Sequence, residues 1–236
     1  MRNREIVWLS DDEKAFVQSF LLEEDDDILA FNKPAGLPCQ TRKVDDQTLD
    51  KLLWAFAKSN GKRPHLAHRL DGETSGIVIA ARTKPAAAAL SKAFEDRQIK
   101  KTYLALVKGD AGRVTRIDAP IGSIRKEDGM LISGIGGQKG VKDVKEALTR
   151  FNCVAFENGY SLLECRPETG RMHQIRVHLA HAGFPILGDA IYGDANSAPR
   201  LMLHALSLKG PHPIGGQFEY LAPVPDDFEQ FAQGQG

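Results

Sequence analysis

The sequence predicts an α+β fold built on a mixed sheet. Strand-like and helix-like segments do not alternate strictly, as a doubly wound parallel sheet requires. In addition, two β-rich runs at residues 147–156 and 160–166 flank Glu157-Asn158-Gly159, and Asn-Gly between such runs is the strongest short hairpin signal. A chain of 236 residues with 42% hydrophobic and 26% charged side chains can bury one large core or two small ones, which excludes disorder as its main state. No internal repeat or composition shift divides it.

The elements follow in order. The first 27 residues are acidic and end in Glu23-Glu24-Asp25-Asp26-Asp27; Ile28-Leu29-Ala30-Phe31 then opens an apolar strand that stops at Asn32-Lys33-Pro34-Ala35-Gly36. Leu49, Leu52, Leu53, Phe56 and Ala57 fall on one helical stripe, so a helix is expected over 48–60, with Gly61 at its C-terminal cap. A polar stretch, 65–76, runs into a strand at 77–81. Thr83 is placed to cap a helix over 84–98, with Pro85 in the first turn. A strand at 101–108 follows, with Tyr103, Ala105 and Val107 on one face. Residues 109–145, rich in Gly, Lys and Asp, read as short strands joined by loops. After the hairpin, Thr169 is expected to start a helix over 171–182, closed by Gly183, and 201–208 reads as a strand.

Equal numbers of basic and acidic side chains, 31 each, conceal a pattern. Residues 1–30 carry a net −6 and residues 219–236 a net −4, which leaves +10 on residues 31–218. Three cysteines, an odd number, without a signal-peptide pattern read as free thiols in a cytoplasmic protein. No apolar run reaches the ~18 residues of a membrane span. The helix at 171–182 carries His173, His178 and His181, but His173 and His178 are five apart, and zinc-binding pairs on one helix sit four apart. These read as hydrogen-bonding histidines, and no metal is expected. No P-loop, G-x-G-x-x-G or G-x-S-x-G motif is present. Asp71, beside Arg69, reads from spacing alone as a turn or cap residue more readily than as a catalytic one, and Arg166, Arg171 and Arg176 form a second basic cluster suited to carboxylates or phosphates.

His68-Arg69-Leu70-Asp71-Gly72-Glu73-Thr74-Ser75-Gly76 resembles the HRLDxxTSG signature of the RluA-type pseudouridine synthases. Six further segments resemble that family's motifs in family order: Asn32–Gly36 (NKPAG), Lys101–Gly109 (KxYxAxVxG), Asp118–Gly122 (DxPIG), Thr169–His178 (TGRxHQIRVH), Gly188–Gly193 (GDxxYG) and Leu203–Ala205 (LHA). The resemblance implies isomerisation of uridine in RNA: the base leaves C1′, turns, and rejoins through C5. It makes Asp71 the catalytic carboxylate, acting either at C1′ or on the 2′ proton. Either route needs an ionised carboxylate, the form that a neighbouring arginine favours, and Arg176 resembles the family arginine that pairs with it. Tyr103 resembles the tyrosine that stacks on the base, and Arg69 the residue that fills the space of the flipped-out uridine. His68, Arg171 and His173 are implied as further substrate contacts, and Leu203 as an apolar wall.

The implied fold is one α+β catalytic domain over 28–225, with a long, bent, mostly antiparallel sheet and a basic RNA cleft, between an acidic extension at 1–27 and a tail at 226–236. No cofactor is implied. With only an acidic segment of 27 residues ahead of the first strand, the expected partner is a compact stem-loop of tRNA or rRNA, bound by a monomer. Deleting those 27 residues is expected to tighten non-specific RNA binding. A non-catalytic RNA-binding module that retains the cleft is the alternative.

Overall fold

The computed structural model describes residues 7–41 and 47–228. The first six residues of the acidic extension and the tail from 229 onward lie outside the described residues. In chain order the elements are α1 (Asp11–Ser19), β1 (Leu21–Glu24), β2 (Ile28–Lys33), α2 (Leu49–Leu52), a 3₁₀ turn (Leu53–Phe56), β3 (His65–Leu66), β4 (Ser75–Ala81), α3 (Lys84–Glu95), β5 (Lys100–Lys108), β6 (Arg116–Asp118), β7 (Ile121–Arg125), β8 (Leu131–Ile135), β9 (Lys142–Lys145), β10 (Leu148–Glu157), β11 (Tyr160–Pro167), α4 (Gln174–His181), a 3₁₀ turn (Ala195–Ser197), β12 (Leu203–Pro211) and β13 (Gln217–Leu221). This is the expected α+β class. Two compact units are present: Met1–Ile99 with Ser207–Ala222, and Lys100–Leu206 with Pro223–Gly236.

In the first unit β2 pairs antiparallel with β1 and with β4, β3 adds to β4, and β13 pairs with the second half of β12. The alternate residues Ile28 and Ala30 on β2 and Ile77 and Ile79 on β4 pack against Leu90 of α3 and Phe218 of β13. Thr83 caps α3 as expected, its hydroxyl accepting the Ala86 N–H (3.2 Å) and donating to Asp27 (3.1 Å). The helix stops at Glu95 instead of 98, because Arg97 turns into the left-handed region (φ 57°). The helix expected over 48–60 is also shorter, with one α-turn, one 3₁₀ turn and extended backbone at Ala57. Local turn chemistry ends it: the Asn60 side chain accepts the Lys62 N–H, and Gly61 (φ 73°) serves that turn rather than a helix cap.

The acidic segment is folded into this unit. Ser10 and Glu13 form a reciprocal capping box at the start of α1, where Asp11 and Asp12 also complement the helix dipole. β1 pairs with β2, and the Phe20 ring packs edge-on against Phe31 at 6.0 Å. Deleting residues 1–27 would therefore remove a strand as well as charge. The electrostatic role expected of this segment has to be probed by substitution at exposed acids such as Asp12, Glu23 and Asp26.

In the second unit β5, β11, β10 and β6 pair antiparallel in that order. The predicted hairpin is present, with both turn residues at positive φ (Asn158 53°, Gly159 82°), the combination that a type I′ turn demands. Residues 116–145 supply β6 and a separate three-stranded sheet in the order β8-β7-β9. The last strand begins at Leu203, two residues later than expected, after the Leu106 N–H has been donated to the Met202 carbonyl.

The third helix of this sequence to be shortened is α4, which begins at Gln174 rather than 171. His173 adopts a left-handed conformation (φ 54°), so helical geometry cannot extend through it. Thr169 does not cap the helix. Instead, the Gln174 side-chain carbonyl accepts the Arg171 N–H (3.0 Å) and the Thr169 hydroxyl (2.6 Å), while its amide donates to Leu148 O and Thr149 Oγ1. One glutamine thus fastens the start of α4 to β10.

Candidate active site

In the first unit, Asp71 lies half-buried on the segment between β3 and β4. The backbone around it is held at four points. The Leu70 N–H donates to Cys39 Sγ (3.4 Å), the Gly72 carbonyl accepts both the Gly36 N–H (3.0 Å) and the Lys33 ammonium (2.9 Å), and the Thr74 N–H closes a turn on the Asp71 carbonyl (3.1 Å). None of these bonds uses the Asp71 carboxylate. Lys33 is the residue here to which the sequence assigned no role. Its side chain is fully buried at the end of β2, where the ammonium also donates to the Pro34 and Leu37 carbonyls (2.9 and 2.8 Å). Burial pushes its pKa down to about 8, against the opposing pull of Cys39, Glu73 and Asp71. A lysine terminating an otherwise apolar strand was the available signal.

Arg69 is exposed on the same segment. His68 is tied to β4 and α3: its Nε2 accepts the Ile79 N–H (3.2 Å) and its ring lies 4.8 Å from that of Phe94.

In the second unit the structure brings His173 and Arg176 together around the Gly188–Gly193 loop. Arg176 and Asp189 form a buried bidentate pair (2.8 and 2.7 Å), with side chains 5% and 0% exposed. Asp189 Oδ1 also accepts the N–H groups of Ile191 and Tyr192 (2.9 and 3.1 Å). Burial acts to raise the Asp189 pKa, but the Arg176 guanidinium and these donors outweigh it and hold the carboxyl below its ordinary value. The Arg176 guanidinium also lies 5.3 Å from the centre of the Tyr192 ring. The Tyr192 hydroxyl accepts the Ser133 N–H from β8 (2.8 Å) and lies 2.8 Å from His173 Nδ1. That nitrogen of His173 thus serves the protein's own framework. Asp189 and Tyr192 lay in a motif the sequence displayed but gained a function only through contacts 13 and 59 positions away.

The remaining candidates are placed as follows. Tyr103 is half-buried on β5, opposite Cys165 of β11. Arg171 donates from Nε to the Glu146 carbonyl (3.0 Å), and Leu203 is buried in the core with Leu104, Phe151 and Leu179. His178 has both ring nitrogens engaged, by Thr149 Oγ1 and the Ala119 carbonyl (each 2.9 Å), which removes it as a metal ligand. Among the described residues no group of three His, Cys, Asp or Glu side chains is arranged to hold a metal ion.

Two buried histidines make stability pH-dependent. Burial, followed by the nearby Arg200 charge, pushes His204 down to about 4, and burial also lowers His178. Folding thus favours their neutral forms. Their contribution is intact above the unfolded histidine pKa of about 6.5 and is lost as pH falls from there toward 4. His204 alone is expected to lower unfolding free energy by about 2 kcal/mol between pH 7.5 and 5. Urea titrations at the two pH values check this, and equal stability at both would contradict it.

Comparison with known proteins shows the following likenesses. The sequence model for RNA pseudouridylate synthase matches residues 27–181. The ribosomal large subunit pseudouridine synthase D of Zymomonas mobilis is 34% identical over 226 residues, covering 87% of this chain and 69% of that protein. Among solved structures, human RNA pseudouridylate synthase domain containing 1 superimposes with a TM-score of 0.75 at 30% identity, covering 87% of this chain and 83% of that one. Human RNA pseudouridylate synthase domain containing 4 also gives 0.75, at 26% identity, covering 94% and 95%.

Proposed function

This chain belongs to the RluA-type family of RNA pseudouridine synthases, and from that premise we propose that it isomerises one uridine in a folded stem-loop of ribosomal or transfer RNA, with Asp71 as the essential carboxylate. The reaction class is an isomerisation in which the C1′–N1 bond breaks, the base turns, and a C1′–C5 bond forms with loss of the C5 proton. The observation that carries the assignment of Asp71 is its loop. The Lys33, Gly36, Cys39 and Thr74 contacts fix the backbone on both sides of it and at its own carbonyl, so that the carboxylate is presented from a set position. Fixed geometry of this kind lowers a barrier by removing the entropy of positioning.

Tyr103 supplies a stacking face for the flipped base, and Arg69, exposed beside Asp71, occupies the vacated stack. Arg176 supplies a fixed positive charge, held in place by Asp189 and Tyr192. The name of the Zymomonas mobilis relative favours large-subunit ribosomal RNA over transfer RNA, and the net +10 of residues 31–218 suits a phosphate-rich partner. The protein is proposed to act as a cytoplasmic monomer.

Mapping pseudouridines in total RNA from cells with and without the gene tests the substrate. One ribosomal or transfer RNA position is expected to lose its pseudouridine without the gene. Loss confined to other RNA classes, or none, would contradict the proposal.

A further inference from the structure

A second lysine, half-buried, differs from Lys33 in how its charge is met. Lys101 lies near the start of β5, two residues before Tyr103 and on the same face of the strand, about 7 Å away along the backbone. Its side chain is partly withdrawn from water. Whereas Lys33 donates to three carbonyls at 2.8–2.9 Å, Lys101 has one hydrogen bond, to the Thr169 carbonyl at 3.5 Å. Among the described residues no carboxylate forms an ion pair with it, in contrast to Lys14, Lys51, Lys92 and Lys209, each of which has one. Gly170 lies beside the ammonium, and a Cβ there would stand in van der Waals contact with Nζ, at 3.5 Å. Burial alone lowers the Lys101 pKa, with no opposing acid.

A half-desolvated cation with two N–H groups to spare calls for an anionic ligand. We propose that Lys101 binds a backbone phosphate of the RNA next to the uridine that Tyr103 stacks on. Phosphate is the only charged group RNA offers, and an ammonium on a flexible stem suits it as a point charge. This inference rests on the function proposed above and adds a binding residue to it.

The test measures affinity in an Asp71→Asn background, which prevents turnover. The ligand is the RNA fragment from which the wild-type protein releases tritium, and the salt series compares Lys101, Lys101→Met and Lys101→Arg. Losing one phosphate contact is expected to weaken binding and to make the slope of log K against log [salt] shallower by about 0.7–0.9. Lys101→Arg should keep the slope. With Asp71 intact, Lys101→Met should raise KM far more than it lowers kcat. Lys101→Gln provides a second variant should the methionine protein fold poorly. An unchanged slope in a folded Lys101→Met or Lys101→Gln protein overturns the inference while wild-type turnover leaves the functional reading standing. If the wild type releases no tritium from any RNA, the reading fails and the inference with it.

Discussion

Asp71→Asn is expected to cut tritium release from RNA labelled at uridine C5 by on the order of 10⁴-fold or more, as removal of a central catalytic group does in other enzymes. The fold should survive. The bonds that shape the loop run through the Leu70 and Thr74 N–H groups and the Gly72 and Asp71 carbonyls, which asparagine leaves untouched. An unchanged thermal midpoint with lost activity is the expected pair of results. A variant that retains more than a tenth of wild-type activity would show that another group does this chemistry.

The second large effect is on stability. Asp189→Ala would take a bidentate carboxylate from the buried Arg176 guanidinium and strip acceptors from the Ile191 and Tyr192 N–H groups. Breaking one side of a buried ion pair costs about 3–5 kcal/mol. For a chain of this size that corresponds to a drop of roughly 6–20 °C in thermal midpoint. The double variant Arg176→Met/Asp189→Leu removes both charges of this pair, and part of the stability should return because apolar side chains fill the space of two desolvated ions. Activity should not return with it. Calorimetry and tritium release on the two variants separate these roles. Equal stability of Asp189→Ala and wild type would contradict the buried-pair account.

Where the determinants are local, the sequence was a good guide. Asn158-Gly159 forms the expected turn because both residues tolerate positive φ, and Thr83 caps α3 because a hydroxyl there reaches the third N–H of the helix. The start of α4 was misread because its periodic pattern continues through Met172 and His173, whereas the chain turns left-handed at His173 and the Gln174 side chain supplies the capping bonds. His68 and His173 read as substrate contacts by their motif positions. One ring nitrogen of each is also bonded within the protein, His68 Nε2 to the Ile79 N–H and His173 Nδ1 to the Tyr192 hydroxyl, partners that only the folded chain brings near. Lys33 and Asp189 were visible as letters of motifs. Their importance lies in burial and in bonds to residues up to 39 positions distant, which neither composition nor periodicity encodes.

The central claim, that this chain makes pseudouridine in RNA, is tested most directly by incubating the purified protein with ribosomal and transfer RNA labelled with tritium at uridine C5. The account predicts tritium released into water in proportion to new pseudouridine in the digested RNA, at a defined site. RNA binding with steep salt dependence but neither tritium release nor pseudouridine would contradict it, and would identify the chain as a non-catalytic RNA-binding module.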